Sequence, residues 1–103
     1  MTEIHRLAVV NRGEPAMRAL NAVAELNDQF PDRRIQTIAV YTDPDATAWF
    51  VRAADEAVPL GPATVADPAG GRRISAYLDE ERVLAALRAA RADAVWVLSL
   101  IHI

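Results

Sequence analysis

Asn11, Arg12, Gly13 and Glu14 are the residues whose types and spacing most suggest a functional site. They follow an apolar run, RLAVV, and precede a segment with helical spacing, so they lie where a buried strand gives way to a helix. In open α/β sheets this carboxyl edge of the strands binds ligands. Asn11 and Arg12 could therefore line a cleft. Alternatively, Gly13 permits the turn and Arg12 pairs with an acid as a strut between domains, which we favour because site residues on loops need a complete site around them.

A metal site is not indicated by the acidic residues or by the histidines. Asp43 and Asp45 could suggest one, but the proline between them and the lack of further ligands favour turn and helix-cap roles. The sequence has no cysteine, and its two histidines, His5 and His102, lie at opposite ends of the chain. We therefore predict no metal ligand.

Two further pairs of residues have simple structural explanations. Arg72–Arg73 follow a Gly-Gly pair and could meet a phosphate, but a basic pair on a flexible loop is usually solvated. Trp49–Phe50 are expected to pack in the core or against another domain, because no basic groove accompanies them to make a nucleic-acid stacking platform.

Composition indicates one small globular domain. Of the 103 residues, 52% are hydrophobic and 24% are charged, values typical of folded proteins. The net charge of −3 comes from well mixed acidic and basic side chains, so no nucleic-acid or anionic membrane partner is expected. The amino terminus, MTEIHR, does not resemble a secretory signal, and we expect a cytoplasmic protein.

Strand-like and helix-like segments alternate along the chain. Strands are predicted at Arg6–Val10, Ile35–Tyr41, Glu56–Leu60 and Ala92–Val97. Helices are predicted at Glu14–Asn27, Thr47–Ala53 and Asp79–Arg91, and residues 61–76 are predicted to form one long loop. This alternation predicts an α/β fold with a mainly parallel sheet of about four strands and helices on both faces.

The strand order follows from the position of a proline. Doubly wound sheets begin at a central strand, and Pro59 suits a sheet edge because it cannot donate to a neighbouring ladder. The predicted order is therefore 3-2-1-4. The predicted core comprises Leu7, Val9, Met17, Leu20, Ile38, Val40, Leu84, Leu87 and Val95.

Four motifs in succession carry a family resemblance: RLAVVNRGEPAMRAL, IAVYTDPDA, RAADEAVPLG and AYLDEERVLAALRAARADAV. Together they resemble the amino-terminal domain of biotin carboxylases, the ATP-dependent modules of acetyl-CoA, propionyl-CoA and pyruvate carboxylases. The resemblance covers about residues 5 to 97 and is most specific at Asn11–Glu14, then at Ala54–Glu56. It implies a Rossmann-like fold of the kind that precedes an ATP-grasp domain. It also implies that bicarbonate is activated as carboxyphosphate and its carbon passed to the ureido nitrogen of biotin.

The resemblance places the catalytic groups outside this chain. Phosphate-binding lysines, magnesium-binding acids and bicarbonate-binding arginines lie in later domains of such enzymes, so ATP, Mg²⁺ and biotin are expected as cofactors of the parent and not of this fragment. The expected partners are the ATP-grasp and carboxy-terminal domains and a biotin carboxyl carrier domain. The glycine-rich stretch that the first domain usually adds to the cleft is missing, and we assign no catalytic residue.

A free-standing α/β nucleotide-binding or regulatory module is the alternative function. Against it stand the lack of a G-x-G-x-x-G motif after any strand and the lack of a carboxylate cluster at the end of the first strand.

A polar stripe on the first helix has two interpretations. Glu14, Arg18, Asn21 and Glu25 recur at helical spacing, which usually indicates a solvated face. The corresponding helix of biotin carboxylases helps to form a homodimer interface. The resemblance therefore makes Arg18, Asn21 and Glu25 possible dimer residues, although Asn21 stands where a further arginine can occur.

The last residues depart from the family pattern. Residues 98–103 read LSLIHI, which the DNA sequence CTGTCTCTTATACACATC encodes. These codons match a transposase end sequence used in sequencing libraries. We therefore interpret 1–97 as the domain and 98–103 as an adaptor-derived tail.

Overall fold

A parallel sheet of four strands lies at the centre of the computed structural model, which describes residues 4–97. The strands are β1 (Arg6–Val9), β2 (Gln36–Thr42), β3 (Glu56–Gly61) and β6 (Ala94–Trp96). Their order is β3-β2-β1-β6, which confirms the predicted order with Pro59 on an edge strand. The predicted tail, residues 98–103, lies outside the described residues.

Helices cover both faces of the sheet, as predicted. They are α1 (Gly13–Gln29), α2 (Trp49–Ala53) and α3 (Glu80–Ala90). Successive residues of the strands alternate between the faces: Ala8, Ile38 and Val40 pack in the cluster that contains α3, whereas Val9 and Ala39 pack in the cluster that contains α1 and α2. Within residues 4–97, no helix is both long enough and apolar enough to cross a membrane.

The predicted long loop at 61–76 contains a small hairpin that the sequence patterns did not reveal. Strands β4 (Thr64–Ala66) and β5 (Arg73–Ser75) pair antiparallel, and Val65 is buried in the α3 cluster. The strands are too short for alternation to be recognised, and the turn between them carries Gly70 and Gly71 at positive φ. This hairpin extends the core on the α3 face.

Of the nine predicted core residues, four are buried, three are partly buried and two are exposed. Val9, Leu20, Ile38 and Val40 are buried, and Leu7, Met17 and Leu87 are partly buried. Leu84 is exposed because α3 faces the core through the small stripe of Val83, Ala86 and Ala90. Val95 is exposed because β6 is an edge strand, and α3 packs against β3 at the opposite edge.

Candidate functional site

The turn after β1 positions the candidate site at the carboxyl edge of the sheet. Asn11 accepts a hydrogen bond at its Oδ1 from the backbone N–H of Arg12, 2.9 Å away. Gly13 then begins α1 with a φ of +63°, in the left-handed region that favours glycine, as the turn interpretation predicts. The turn after β1 is therefore formed by one local hydrogen bond and one glycine in the left-handed region. The side chain of Arg12 extends across the carboxyl edge of the sheet.

Arg12 is paired with Asp45, which lies in a 3₁₀ turn (Asp43–Asp45) directly after β2. The guanidinium donates from Nε to Oδ2 at 2.7 Å and from Nη2 to Oδ1 at 2.9 Å, a bidentate arrangement. The side chain of Asp45 is only 11% exposed, whereas that of Arg12 is 63% exposed. The pair joins the ends of the two central strands.

The ion pair sets the protonation of both partners. Hydrogen bonding to Arg12 lowers the pKa of the Asp45 carboxyl, and it outweighs the opposing effect of burial. The same bond raises the pKa of Arg12. Both groups are therefore charged at neutral pH.

Tyr77 lies close enough to the ion pair for charge to act on its hydroxyl. Burial, and then the negative charge of Asp45, raise the pKa of the phenol. The hydroxyl donates to the backbone carbonyl of Val40, at 3.2 Å. Tyr77 therefore remains a neutral hydrogen-bond donor that fixes a 3₁₀ turn (Ala76–Leu78) to the centre of β2.

An apolar groove of about 480 Å³ opens beside the ion pair, between α1 and α2. Its apolar lining residues are Met17, Ala48, Trp49 and Phe50. The remaining lining residues are Arg12, Gly13, Glu14 and Asp45. Three of the four residues predicted to lie at a cleft are therefore together at this groove, with Asn11 on the preceding turn.

The predicted dimer stripe lies on the outer surface of α1. Arg18, Asn21 and Glu25 are all exposed. Arg18 forms an i,i+4 ion pair with Glu14 at 3.6 Å, with both side chains more than two-thirds exposed. Such exposed pairs contribute little to stability, so breaking this one to meet a partner would cost little. Their role in a dimer stays a prediction.

The second specific motif, Ala54–Glu56, has a structural role at the amino-terminal ends of the strands. Asp55 accepts from the backbone N–H of buried Thr37 at 2.8 Å, and its own N–H donates to the Thr37 hydroxyl at 3.1 Å. Glu56 forms an ion pair with Arg6 on β1. These contacts connect the starts of β1, β2 and β3.

The turn after β1 and the groove beside it do not fit magnesium-ATP. Free cationic groups stabilise a transferring phosphoryl group, yet two nitrogens of Arg12 are bonded to Asp45 and the groove beside it is mostly apolar. The chain contains no lysine. Residues 4–97 also contain no cluster of three or more histidine, aspartate or glutamate side chains able to hold a metal ion.

Two features of the site were missed by sequence patterns. Asp45 lies in a 3₁₀ turn, as predicted, but the sequence patterns did not reveal that it is the acid that pairs with Arg12. Trp49 and Phe50 are predicted to pack in the core or against another domain; Phe50, 2% exposed, lies in the core, whereas Trp49, 77% exposed, lies outside it. Consecutive helical residues point about 100° apart, so an inward Phe50 directs Trp49 outward.

Comparisons with known proteins agree with the motifs. Residues 3–97 match the family described as biotin carboxylase, N-terminal domain. A biotin-dependent acyl-coenzyme A carboxylase alpha3 subunit of Mycobacterium leprae is 37% identical over 91% of this chain. A pyruvate carboxylase of Bacillus subtilis is 35% identical over 89% of it. The chain spans only 13% and 7% of these two proteins.

Solved structures show the same fold. Biotin carboxylase from Campylobacter jejuni, solved as a complex described as β-γ-ATP, superposes with a TM-score of 0.68 at 30% identity, over 90% of this chain and 18% of that one. The biotin carboxylase domain dimer of the 2-oxoglutarate carboxylase from Hydrogenobacter thermophilus, with MgADP and bicarbonate, gives a TM-score of 0.64 at 30% identity, over 92% of this chain and 17% of that one. With the family match over residues 3–97, these likenesses establish that the chain belongs to the biotin carboxylase N-terminal domain family.

Proposed function

We propose that this chain is the amino-terminal domain of an ATP-dependent biotin carboxylase within an acyl-CoA or pyruvate carboxylase, and that it braces the catalytic cleft without supplying catalytic groups. In that reaction ATP phosphorylates bicarbonate to carboxyphosphate and ADP is released; the carboxyl group then passes to the ureido nitrogen of biotin and phosphate leaves. Asn11, Arg12, Gly13 and Glu14 form the face toward the neighbouring domain.

The observation that carries this proposal is the bidentate pairing of Arg12 with Asp45. A guanidinium that serves a phosphate presents its donor fork to it, and here two of the three guanidinium nitrogens, Nε and Nη2, bond to a buried carboxylate instead. The pair holds the ends of β1 and β2 together in a fixed geometry. This supports the interpretation of Arg12 as a strut between domains rather than as part of a ligand-binding cleft.

The cofactors and partners of the whole protein follow from the family. ATP, Mg²⁺ and biotin are bound by the rest of the parent. The ATP-grasp and carboxy-terminal domains and a biotin carboxyl carrier are its partners. The small share of each relative that the chain spans, 13% of the Mycobacterium leprae subunit, supports this division of labour.

Calorimetric titration of the chain with magnesium-ATP tests the proposal. We expect no saturable binding tighter than about 100 μM and no bicarbonate-dependent ATP hydrolysis. The matched variants are Arg12→Ala at the site and Arg18→Ala on the exposed stripe. Saturable binding by the unmodified chain that Arg12→Ala abolishes and Arg18→Ala preserves would show that the turn after β1 is itself a nucleotide site.

A further inference from the structure

A second cavity lies at the amino-terminal ends of the strands, at the other end of the sheet from the turn Asn11–Glu14. Its volume is about 620 Å³, within the range of small-molecule sites. Arg6 and Glu56, the first residues of β1 and β3, line it together with the end of α3. The cavity is therefore separate from the groove beside Arg12.

Arg91, which lines this cavity, has an unusual backbone conformation. Its φ of +58° is the only positive φ of a residue other than glycine within residues 4–97. Its N–H caps α3 by donating to the carbonyls of Leu87 and Arg88. Glycine is the usual residue at such a helix end and would form the same cap without strain from a Cβ. The cap therefore does not require an arginine, and such an outlier suggests a function for the side chain.

The guanidinium of Arg91 is available to a ligand. The residue is exposed, and its side chain forms no ion pair that the structure gives among residues 4–97. A guanidinium presents a planar fork of donors that matches a carboxylate. Arg91 therefore supplies an unpaired carboxylate-binding group to the cavity.

The same cavity also carries negative charge. Glu56 pairs with Arg6 through Oε2, and the side chain of Glu56 is 49% exposed. Its Oε1 accepts no hydrogen bond that the structure gives in the described part of the chain. Ala89 and Ala90 belong to the carboxyl end of α3, where the helix dipole is negative. An ammonium group is favoured on this side of the site.

The rest of the lining is small and apolar. Ala57 and Val58 of β3 and the two alanines at the end of α3 complete the cavity. The lining thus combines a free cation, a carboxylate with a free oxygen and short aliphatic side chains. A ligand that satisfies all three features has a carboxylate, an ammonium group and a small aliphatic body.

We propose that this cavity binds a free aliphatic α-amino acid, whose carboxylate pairs with Arg91 and whose ammonium group pairs with Glu56. A simple carboxylic acid leaves Glu56 without a new partner, and a simple amine leaves Arg91 without one. The site does not rest on the proposed function, because it lies at the opposite end of the sheet from the turn after β1.

Titration of the isotope-labelled full chain with L-valine, at neutral pH and constant ionic strength, tests the proposal by NMR. We expect saturable shifts of the amides of Ala57, Val58 and Arg91. The dissociation constant should be about 1–10 mM, because both charged side chains are exposed to water. Shifts spread over the whole chain, or shifts that do not saturate by about 50 mM, overturn the proposal.

Two analogues of valine test whether both charges are recognised. Isovalerate lacks the amino group and isobutylamine lacks the carboxylate. Each is expected to bind about tenfold more weakly than valine, since each loses a hydrogen bond to a charged group. If isovalerate binds as tightly as valine, Glu56 does not recognise an ammonium group and the proposal is wrong.

Arg91→Gly separates binding from stability. Glycine suits the left-handed backbone, so the urea midpoint is expected to stay the same or rise, whereas valine binding is lost. Arg88→Ala, which removes an exposed arginine outside the cavity lining, is the matched control and should bind valine normally. Unchanged binding by Arg91→Gly, or equal loss in Arg88→Ala, contradicts the site.

Glu56→Gln tests the other end of the ligand. The amide oxygen still accepts from Arg6 but carries no charge, so valine binding should weaken while isovalerate binding is unchanged. Circular dichroism verifies that the variant is folded. If Glu56→Gln weakens the binding of valine and isovalerate equally, Glu56 does not hold the ammonium group and the proposed orientation is wrong.

Discussion

Arg6, the first residue of β1, donates two hydrogen bonds to the backbone carbonyl of Ala90 at the end of α3. Its Nε lies 3.0 Å and its Nη2 lies 2.7 Å from the Ala90 oxygen. Nη1 also donates to the side chain of Gln36 on β2 at 2.8 Å, and the guanidinium pairs with Glu56 on β3. One side chain thus joins a helix end to three strands.

Replacing Arg6 is expected to destabilise the fold. Arg6→Ala leaves the Ala90 carbonyl without its donors and should cost about 2 kcal/mol in the free energy of unfolding. Arg6→Lys should recover only part of this loss, since one ammonium cannot reproduce a planar fork. Urea denaturation measures both, with Arg18→Ala as the surface control. Equal stabilities of Arg6→Ala and Arg18→Ala would contradict this role.

The two partners of the Arg12–Asp45 pair should differ in their effects on stability. Arg12→Ala strands a buried carboxylate and is expected to cost about 1–3 kcal/mol. Asp45→Asn leaves an exposed guanidinium that water can solvate, so its cost should be smaller. Thermal and urea unfolding of the two variants provide the comparison. If Asp45→Asn lost more free energy of unfolding than Arg12→Ala, burial of an unpaired Asp45 carboxylate would not be the main cost.

Acid should weaken the fold through Asp45. Its bond with Arg12 makes the folded-state pKa lower than the unfolded value, so protons bind preferentially to the unfolded chain. The contribution is present above the ordinary pKa of about 3.9 and is lost as the pH falls through the folded-state pKa. The urea midpoint of the unmodified chain is therefore expected to fall more steeply below that pH than the midpoint of Asp45→Asn. Parallel pH profiles would refute this assignment.

Alkali should also weaken the fold, through Tyr77, as the pH rises. Burial makes its folded-state pKa higher than the unfolded value, so stability is full below about pH 10 and is lost as the pH rises through the folded-state pKa. Tyr77→Phe removes this dependence, although it also removes the bond to Val40. In a Tyr41→Phe background the phenolate absorbance reports Tyr77 alone, because the chain has two tyrosines. An unshifted titration there would contradict the prediction.

A side chain at position 13 would have room, but the backbone conformation there disfavours any residue other than glycine. Its φ is +63°, and an added Cβ would meet no atom within 4 Å. Gly13→Ala is therefore expected to cost about 1–2 kcal/mol through the left-handed backbone alone. Gly13→Asn should cost less, because asparagine adopts this region more readily. If the two variants were equally stable, backbone strain would not be the cause.

Several elements were predictable because their signals are local. The apolar run before Asn11 and the period of α1 and α3 predict strand and helix from neighbouring residues alone. Pro59 predicts an edge strand because its missing N–H is a covalent property. The hairpin at 64–75 and the exposure of Leu84 were not predictable, since they depend on which surface α3 presents to the sheet.

The amino-acid sequence by itself determined the family, the alternation of strands and helices, and the position of the Asn11–Glu14 turn, because each follows from covalent geometry and short-range periodicity. Only the tertiary structure decided that Asp45, 33 residues further along, is the partner of Arg12. It alone also decided that Trp49 is left in water beside an apolar groove. The physical reason is that ion pairing and burial depend on distances between segments, which are fixed when β1, β2 and α2 pack together.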